Sequence, residues 1–161
     1  FQGKMEFGPR ALGNRGIFVS AKHNKINLSL NKKLGRTEFM PFAPITLEKY
    51  ATKMYLNYKK GKQASKFMTL TYNCTDKMKR ISPATVHIDG TARPQIMNSK
   101  YNPKIYNLLE EYCKISKIPN LINTSFNMHE EPIVCSPSDA IRGFLRSNID
   151  FLYIGDYLVK K

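Results

Sequence analysis

Arginines in glycine-rich and turn-forming segments are the residues of this sequence best suited to chemistry. Arg10 and Arg15 lie in the segment Gly8-Pro9-Arg10-Ala11-Leu12-Gly13-Asn14-Arg15, and Arg93 follows a turn at Asp89-Gly90. A guanidinium presents a planar fork that binds phosphate or carboxylate oxygens in bidentate fashion. Fixed cations of this kind can neutralise charge during phosphoryl or nucleotidyl transfer. The pattern predicts a site for a multiply charged anion.

Further polar residues lie in comparable positions, and each has a structural alternative. The additional cations are Lys33 and Arg36, and the polar residues after a buried strand are Asn123, Ser125 and Asn127. All could bind phosphate oxygens, or they could be ordinary turn residues and surface charges. In particular, Arg15 could instead bond backbone carbonyls and hold its loop. The two asparagines could cap their own turn.

Composition indicates one globular domain with an anionic partner. The 161 residues are 42% hydrophobic, and 26 lysines and arginines oppose 12 acids, for a net charge of +14. This length suits a single core. The charge fits nucleic acid, a nucleotide or acyl phosphate, or a partner domain, and it does not choose among them.

Cysteine and histidine spacing gives no indication of a disulfide framework or a metal site. The odd number and wide separation of the cysteines fit a reducing, cytoplasmic location. No apolar run approaches the roughly 20 residues that span a bilayer, so we expect no membrane partner. Because the chain opens inside its glycine-rich motif, we expect a fragment of a longer polypeptide. The widely separated cysteines are Cys74, Cys113 and Cys135, and the widely separated histidines are His23, His87 and His129.

Periodicity and turn chemistry predict mixed secondary structure. The expected helices cover residues 25–33, 47–56, 103–116 and 136–146. Gly35 ends the first of them, and Ser136 and Asp139 cap the start of the last. The expected strands cover residues 17–19, 67–72, a segment from 85 into the turn at 89–90, a segment from 121, 151–154 and 157–159. We expect extended chain over 39–45 and a solvated loop or lid over 57–66.

Four segments, in this order, closely resemble the NodU/CmcH family of O-carbamoyltransferases. They are residues 8–15, Pro41-Phe42-Ala43-Pro44, Asp89-Gly90-Thr91-Ala92-Arg93 and Asn123-Thr124-Ser125-Phe126-Asn127, and the similarity continues through 131–137 and 139–141. The resemblance implies that residues 1–161 are the C-terminal, YrdC-like domain, a single α+β domain with a twisted mixed sheet flanked by helices. It also implies an upstream ASKHA-type domain, absent from this sequence, that holds iron or another metal and carbamoylates a hydroxyl acceptor such as a sugar or antibiotic-like molecule.

The reaction implied by the resemblance joins carbamoyl phosphate to ATP, with Mg, to give a carbamoyladenylate. Motif positions assign Arg10, Arg93 and Ser125 to catalysis. The motifs also place Arg15, Asn123 and Asn127 where they could bind substrate or nucleotide, and we expect Lys33 and Arg36 to contribute to the same binding. The resemblance implies no metal ligand in this domain.

Two positions depart from the family pattern. Leu34 and Met40 stand where the family usually has basic residues, and the neighbouring Lys33 and Arg36 could supply the charge instead. The alternative function is a YrdC-like RNA-binding module without independent catalysis. This module would bind the phosphate backbone of RNA through Lys53, Lys59, Lys60, Lys62 and Lys66. We regard nucleic acid as the less favoured partner.

Overall fold

A computed structural model describes residues 1–35 and 41–161 of the chain. Its strands are β1 (Gly16–Ser20), β2 (Ala43–Leu47), β3 (Tyr72–Asn73), β4 (Thr91–Ala92), β5 (Gln95–Met97), β6 (Asn120–Ser125), β7 (Phe151–Ile154) and β8 (Tyr157–Lys160). Its α-helices are α1 (Lys25–Lys33), α2 (Glu48–Met54), α3 (Asp76–Ile81), α4 (Pro103–Ser116) and α5 (Pro137–Arg146).

The central sheet has four strands in the order β1-β6-β2-β5. Strand β6 pairs antiparallel with both β1 and β2, and β2 pairs parallel with β5, so the sheet is mixed. Two further antiparallel pairs, β3 with β4 and β7 with β8, lie outside this sheet.

Alternation along β6 places apolar side chains on both faces of the sheet. Leu121 packs on one face with Ile105 and Leu109 of α4. Ile122 packs on the other face in a cluster that includes Leu30 of α1 and Phe144 of α5. The chain is therefore a single α+β domain with a mixed sheet flanked by helices, which confirms the predicted fold class.

The two longest predicted helices, α4 and α5, are confirmed. They could be predicted because the side chains that cap them lie next to them in sequence. Asn102 accepts a hydrogen bond from the Ile105 amide at the start of α4. At α5, the Ser136 hydroxyl accepts from the Asp139 amide and the Asp139 carboxylate accepts from the Ser136 amide. These are the reciprocal bonds of a capping box. No helix within the described ranges is long and apolar enough to cross a membrane.

The strand predicted over 67–72 is wrong, and so is the strand predicted from residue 85. A 3₁₀ turn ends at Phe67, and Met68 adopts a left-handed conformation with φ of 54°, so pairing begins only at Tyr72. Residues 83–85 form another 3₁₀ turn. The turn at Asp89-Gly90 is confirmed, since Gly90 has φ of 80° and Asp89 accepts from the Thr91 amide.

The segment predicted as a solvated loop or lid, residues 57–66, is more ordered than expected. It consists largely of 3₁₀ turns, Tyr58–Gly61 and Ala64–Phe67, with Tyr58 and Ser65 buried. The Ser65 hydroxyl lies 2.6 Å from the Tyr72 hydroxyl, and Ser65 also donates to the Gly61 carbonyl at 2.9 Å. A polar bridge to β3 therefore fixes a segment whose lysines suggested only solvation.

Candidate functional site

The segment before β1 is closed into a loop by a single carboxylate. Glu6 Oε1 accepts from the backbone amides of Leu12 at 2.8 Å and Asn14 at 2.5 Å. Gly13 has φ of 131°, and a Cβ there would lie 3.1 Å from Ile105 Cγ1, so a larger residue would be strained and crowded. The loop that carries Arg10 is thus bent around Glu6 and packed on α4.

A buried pair of amides fixes the carbonyl side of the same loop. Asn123, at the middle of β6 and 2% exposed, donates to the Ala11 carbonyl at 3.0 Å and to Gln95 Oε1 at 2.8 Å. Gln95, also 2% exposed, donates from Nε2 to the Leu12 carbonyl at 2.6 Å. Two adjacent loop carbonyls are therefore tied to β6 and β5, directly beside Arg10.

These elements enclose a small polar cavity of about 100 Å³ at the end of β6, which we call the arginine cavity. Arg10 and Arg93 enter it from two different loops, and Ser125 enters it from the last position of β6. The remaining lining residues are Pro9, Ala11, Pro41, Phe42, Ala43, Met68, Asn123 and Thr124.

Within the part of the chain that the structure describes, the two arginines of the arginine cavity have no acidic partner. Arg93 is half-buried and donates to the Met68 carbonyl at 3.1 Å. Burial, and then the nearby positive charge of Arg10, lower the pKa of Arg93 below its ordinary value. Among the described residues, no carboxylate forms an ion pair with either arginine. Two like charges held together in this way would be stabilised by a bound anion.

Ser125 is oriented by a short chain of hydrogen bonds. Its hydroxyl donates to Asn127 Oδ1 at 2.7 Å, and Asn127 Nδ2 donates to the Glu131 carbonyl at 2.8 Å. Because the Ser125 hydroxyl is the donor in its bond to Asn127, its oxygen can still accept hydrogen bonds. Asn127 itself does not line the cavity and acts on it through Ser125.

Arg15 lies beneath the loop rather than in the cavity. It is 3% exposed, and its guanidinium donates to the carbonyls of Gln2 at 2.6 Å, Gly3 at 3.1 Å and Asn14 at 3.1 Å. It also stacks over the Phe1 ring at 3.7 Å. These contacts match the structural alternative stated for Arg15, in which it holds the backbone of its loop.

Lys33, another predicted cation, is not brought to the arginine cavity. Lys33 lines a separate groove beside β1 and pairs with Asp150 at 2.8 Å. Leu34, at a position that is usually basic in the family, is fully buried in the core. Arg36 and Met40 lie outside the described residues, so their predicted roles stay predictions.

The sequence interpretation missed three contributors to the site: Glu6, Gln95 and the Met68 carbonyl. Glu6 is the one acid within the first fifteen residues, which is the only signal that could have indicated its role. Gln95 carried no motif signal, because its partners lie far away in sequence. Within the described residues, no group of three or more His, Cys, Asp or Glu side chains could hold a metal ion.

Fold and cavity together define an α+β domain whose polar cavity is lined by two loop arginines and the end of a central strand. The chain belongs to the carbamoyltransferase C-terminal family, since the family model described as "Carbamoyltransferase C-terminus" matches residues 1–161. This confirms the family predicted from the four motifs.

Similar proteins come from archaea and from nodulating bacteria. An uncharacterized protein of Methanocaldococcus jannaschii is 41% identical, over 100% of this chain and 26% of that protein. The nodulation protein NolO of Bradyrhizobium diazoefficiens is 38% identical, over 99% of this chain and 29% of that protein. Nodulation protein U of Rhizobium tropici is 36% identical, over 79% of this chain and 21% of that protein. The chain thus spans less than a third of the length of these relatives.

Proposed function

We propose that this domain binds carbamoyl phosphate and Mg-ATP at the arginine cavity and forms a carbamoyladenylate. The observation that carries the proposal is the convergence of Arg10 and Arg93 on one cavity, with no carboxylate partner among the described residues. Two polyanionic substrates must approach each other in this reaction, and fixed cations lower their mutual repulsion without reorganising.

The chemistry balances with one water molecule. Water cleaves carbamoyl phosphate to carbamate and phosphate, and the carbamate oxygen then attacks the α-phosphorus of ATP. The bond between the α-phosphorus and its bridging oxygen breaks, and pyrophosphate leaves with the electron pair. The products are carbamoyladenylate, phosphate and pyrophosphate, and the negative charge that develops at phosphorus is what guanidinium groups stabilise.

We assign different roles to the predicted residues according to their contacts. Arg10 and Arg93 bind phosphate oxygens, and Ser125, oriented by Asn127, bonds the carbamoyl group or the adenylate. Asn123 and Arg15 position the loop of Arg10 through its carbonyls. Magnesium would enter with the nucleotide phosphates and supply charge neutralisation there.

Transfer of the carbamoyl group needs a further domain, which we place N-terminal to this one. The chain spans 26% to 29% of two relatives that it matches over nearly its whole length, and its family is named as a C-terminus. On the family resemblance, that domain carries the metal and selects the hydroxyl acceptor. We propose a reducing, cytoplasmic location, which fits the free thiols of Cys74, Cys113 and Cys135.

Pyrophosphate release tests the proposal. The chain is mixed with carbamoyl phosphate, ATP and magnesium, and calorimetry measures the affinity for each substrate. Replacing Arg93 with alanine should weaken binding by roughly 1.5–3 kcal/mol, because a charged hydrogen-bonding partner of the phosphate is lost. Arg80→Ala is the matched control, since Arg80 is exposed on α3 and its loss changes the net charge equally.

The control separates a local site from general electrostatic attraction. Equal weakening by Arg80→Ala and Arg93→Ala would show that only net charge matters. Absence of both pyrophosphate release and substrate binding, in a sample whose circular dichroism shows the folded state, would exclude the proposed reaction for this chain.

RNA binding is the competing proposal, and its lysines have contacts of their own. Lys62 pairs with Glu48 at 2.7 Å, and Lys66 lies 4.3 Å from the centre of the Tyr101 ring. RNA affinity would fall steeply as salt rises, because counterions are released on binding. Submicromolar RNA affinity at about 150 mM salt, without pyrophosphate release, would favour this alternative.

A further inference from the structure

The outer edge of the central sheet borders a groove that the described chain leaves open. Among the strands of residues 1–35 and 41–161, β1 is the end strand of its sheet, and β7 pairs with β8 on one side only. Residues of β1 and β7 line two adjoining cavities of about 350 and 260 Å³. The two cavities share Ile17, Phe18, Ile149 and Phe151. Two strand edges therefore border one space, which we call the edge groove.

The backbone of β1 presents unpaired groups to the edge groove. The Arg15 carbonyl accepts from the Phe126 amide at 2.9 Å, in the same register that pairs β1 with β6. Antiparallel pairs alternate between bonded and non-bonded positions, so Gly16, Phe18 and Ser20 direct their amides and carbonyls away from β6. No described residue outside the sheet hydrogen-bonds to the backbone of Phe18.

The backbone of β7 also presents unpaired groups to the edge groove, from the side opposite β1. A two-residue turn places Ile154 opposite Tyr157, so the backbone groups of Tyr153 and Phe151 point away from β8. The Tyr153 carbonyl confirms this direction, since it accepts a bond from the nitrogen of Phe1 at 2.8 Å. Among the described residues, the amides of Tyr153 and Phe151 have no backbone partner on this side.

The first residues of the chain already enter between the two edges. Phe1 donates to the Tyr153 carbonyl and accepts from the Gly155 amide at 3.4 Å, which is the pattern of a parallel pair opposite Ile154. On the other side, the Gln2 amide donates to the Asn14 carbonyl at 3.1 Å. A chain that preceded Phe1 in this direction would run along β7 toward Phe151 and along β1 toward Phe18.

We propose that the polypeptide immediately N-terminal to this domain, in the longer proteins of the family, forms a strand that fills the edge groove. The strand is parallel to β7 and antiparallel to β1, and it joins the two sheets into one with the order β8-β7-added strand-β1-β6-β2-β5. The occupant follows from the family description as a C-terminus, from the 26% and 29% of two relatives that the chain covers, and from the direction of the chain at Phe1. This inference does not depend on the proposed reaction.

The side chains around the groove define the composition of the added strand. Ile105 and Leu108 of α4 line it from one face of the sheet, and Phe126 and Phe144 line it from the other. A strand covered on both faces reads as a continuous apolar run rather than an alternating one. The added strand would cover Phe151, which is 53% exposed without it.

Amide hydrogen exchange measured by NMR tests the proposal on three forms of the protein. The first is the 161-residue chain, the second adds about ten of its native preceding residues, and the third adds a Gly/Ser segment of equal length. In the second form alone, the amides of Phe18, Phe151 and Tyr153 should exchange about tenfold or more slowly, because they gain hydrogen bonds. The Ile122 amide, which already lies within the sheet, is the internal control.

Three results would overturn the inference. Unchanged exchange at Phe18 and Phe151 in the natively extended form would show that the groove stays open. Equal protection by the Gly/Ser segment would show that no specific strand is recognised. A dimer that persists in the natively extended form, with its contact at β1, would identify a second copy as the occupant.

Discussion

Asn123 makes the sharpest prediction about how the site is held together. Its side chain is 2% exposed and donates to the Ala11 carbonyl and to Gln95 Oε1. Asn123→Leu keeps a similar volume but leaves both acceptors buried without these donors. Each unsatisfied group costs about 1–3 kcal/mol, and the apolar gain of leucine offsets part of this. We expect the free energy of unfolding to fall by about 2–4 kcal/mol.

Urea unfolding followed by far-UV circular dichroism measures this change, since the chain has no tryptophan. Asn107→Leu is the matched control, because Asn107 is exposed on α4 and its replacement should change stability by less than about 0.5 kcal/mol. The double variant Asn123→Leu/Gln95→Leu should lose less than the sum of the single variants, since both remove the same bond.

The opposite outcome would change the role of Asn123. If Asn123→Leu unfolds at the same urea concentration as the parent chain and yet loses affinity for ATP, then Asn123 contacts the nucleotide directly. Its bonds to the loop would then be incidental to stability.

Four further predictions rest on local contacts. Ser136→Ala should lower the free energy of unfolding by about 1 kcal/mol, because α5 loses its N-cap. Hydrogen bonds from Ser136 lower the pKa of Asp139 from 3.8 to about 2. The Asp139 carboxylate therefore contributes fully to stability above pH 3.8, and this contribution disappears as pH falls toward 2. Acid unfolding of the parent chain, compared with that of Asp139→Asn, measures this contribution. Gly61→Ala should lower the free energy of unfolding in urea by about 1–3 kcal/mol, because its Cβ would overlap the buried Tyr72 hydroxyl. Arg15→Lys should cost about 1–3 kcal/mol by the same measurement, because an ammonium cannot reach all the carbonyls that the guanidinium holds.

Elements with local signals were predictable from the sequence. Helices α4 and α5 each carry a capping side chain just before a proline and an apolar periodicity, so every determinant lies within one segment. By contrast, α3 has six residues and no room for periodicity, and its Thr75 cap was the one available signal. The pair β3 with β4 depends on contacts between residues about twenty positions apart.

The candidate site was predictable where family motifs mark it and unpredictable where distant partners complete it. Arg10, Arg93 and Ser125 line one cavity, as their shared assignment suggested, although their catalytic roles stay predictions. Lys33 has the same charge but lies beside β1, because the fold directs it toward Asp150. Charge and neighbouring position in sequence do not determine which surface a helical residue faces.

A crystal structure of the chain soaked with carbamoyl phosphate and ATP tests the central claim most directly. The account predicts phosphate oxygens within hydrogen-bond distance of the guanidinium groups of both Arg10 and Arg93, with the Ser125 hydroxyl facing the ligand. Ligand bound elsewhere on the basic surface, with the two arginines still lacking an anion, would contradict it.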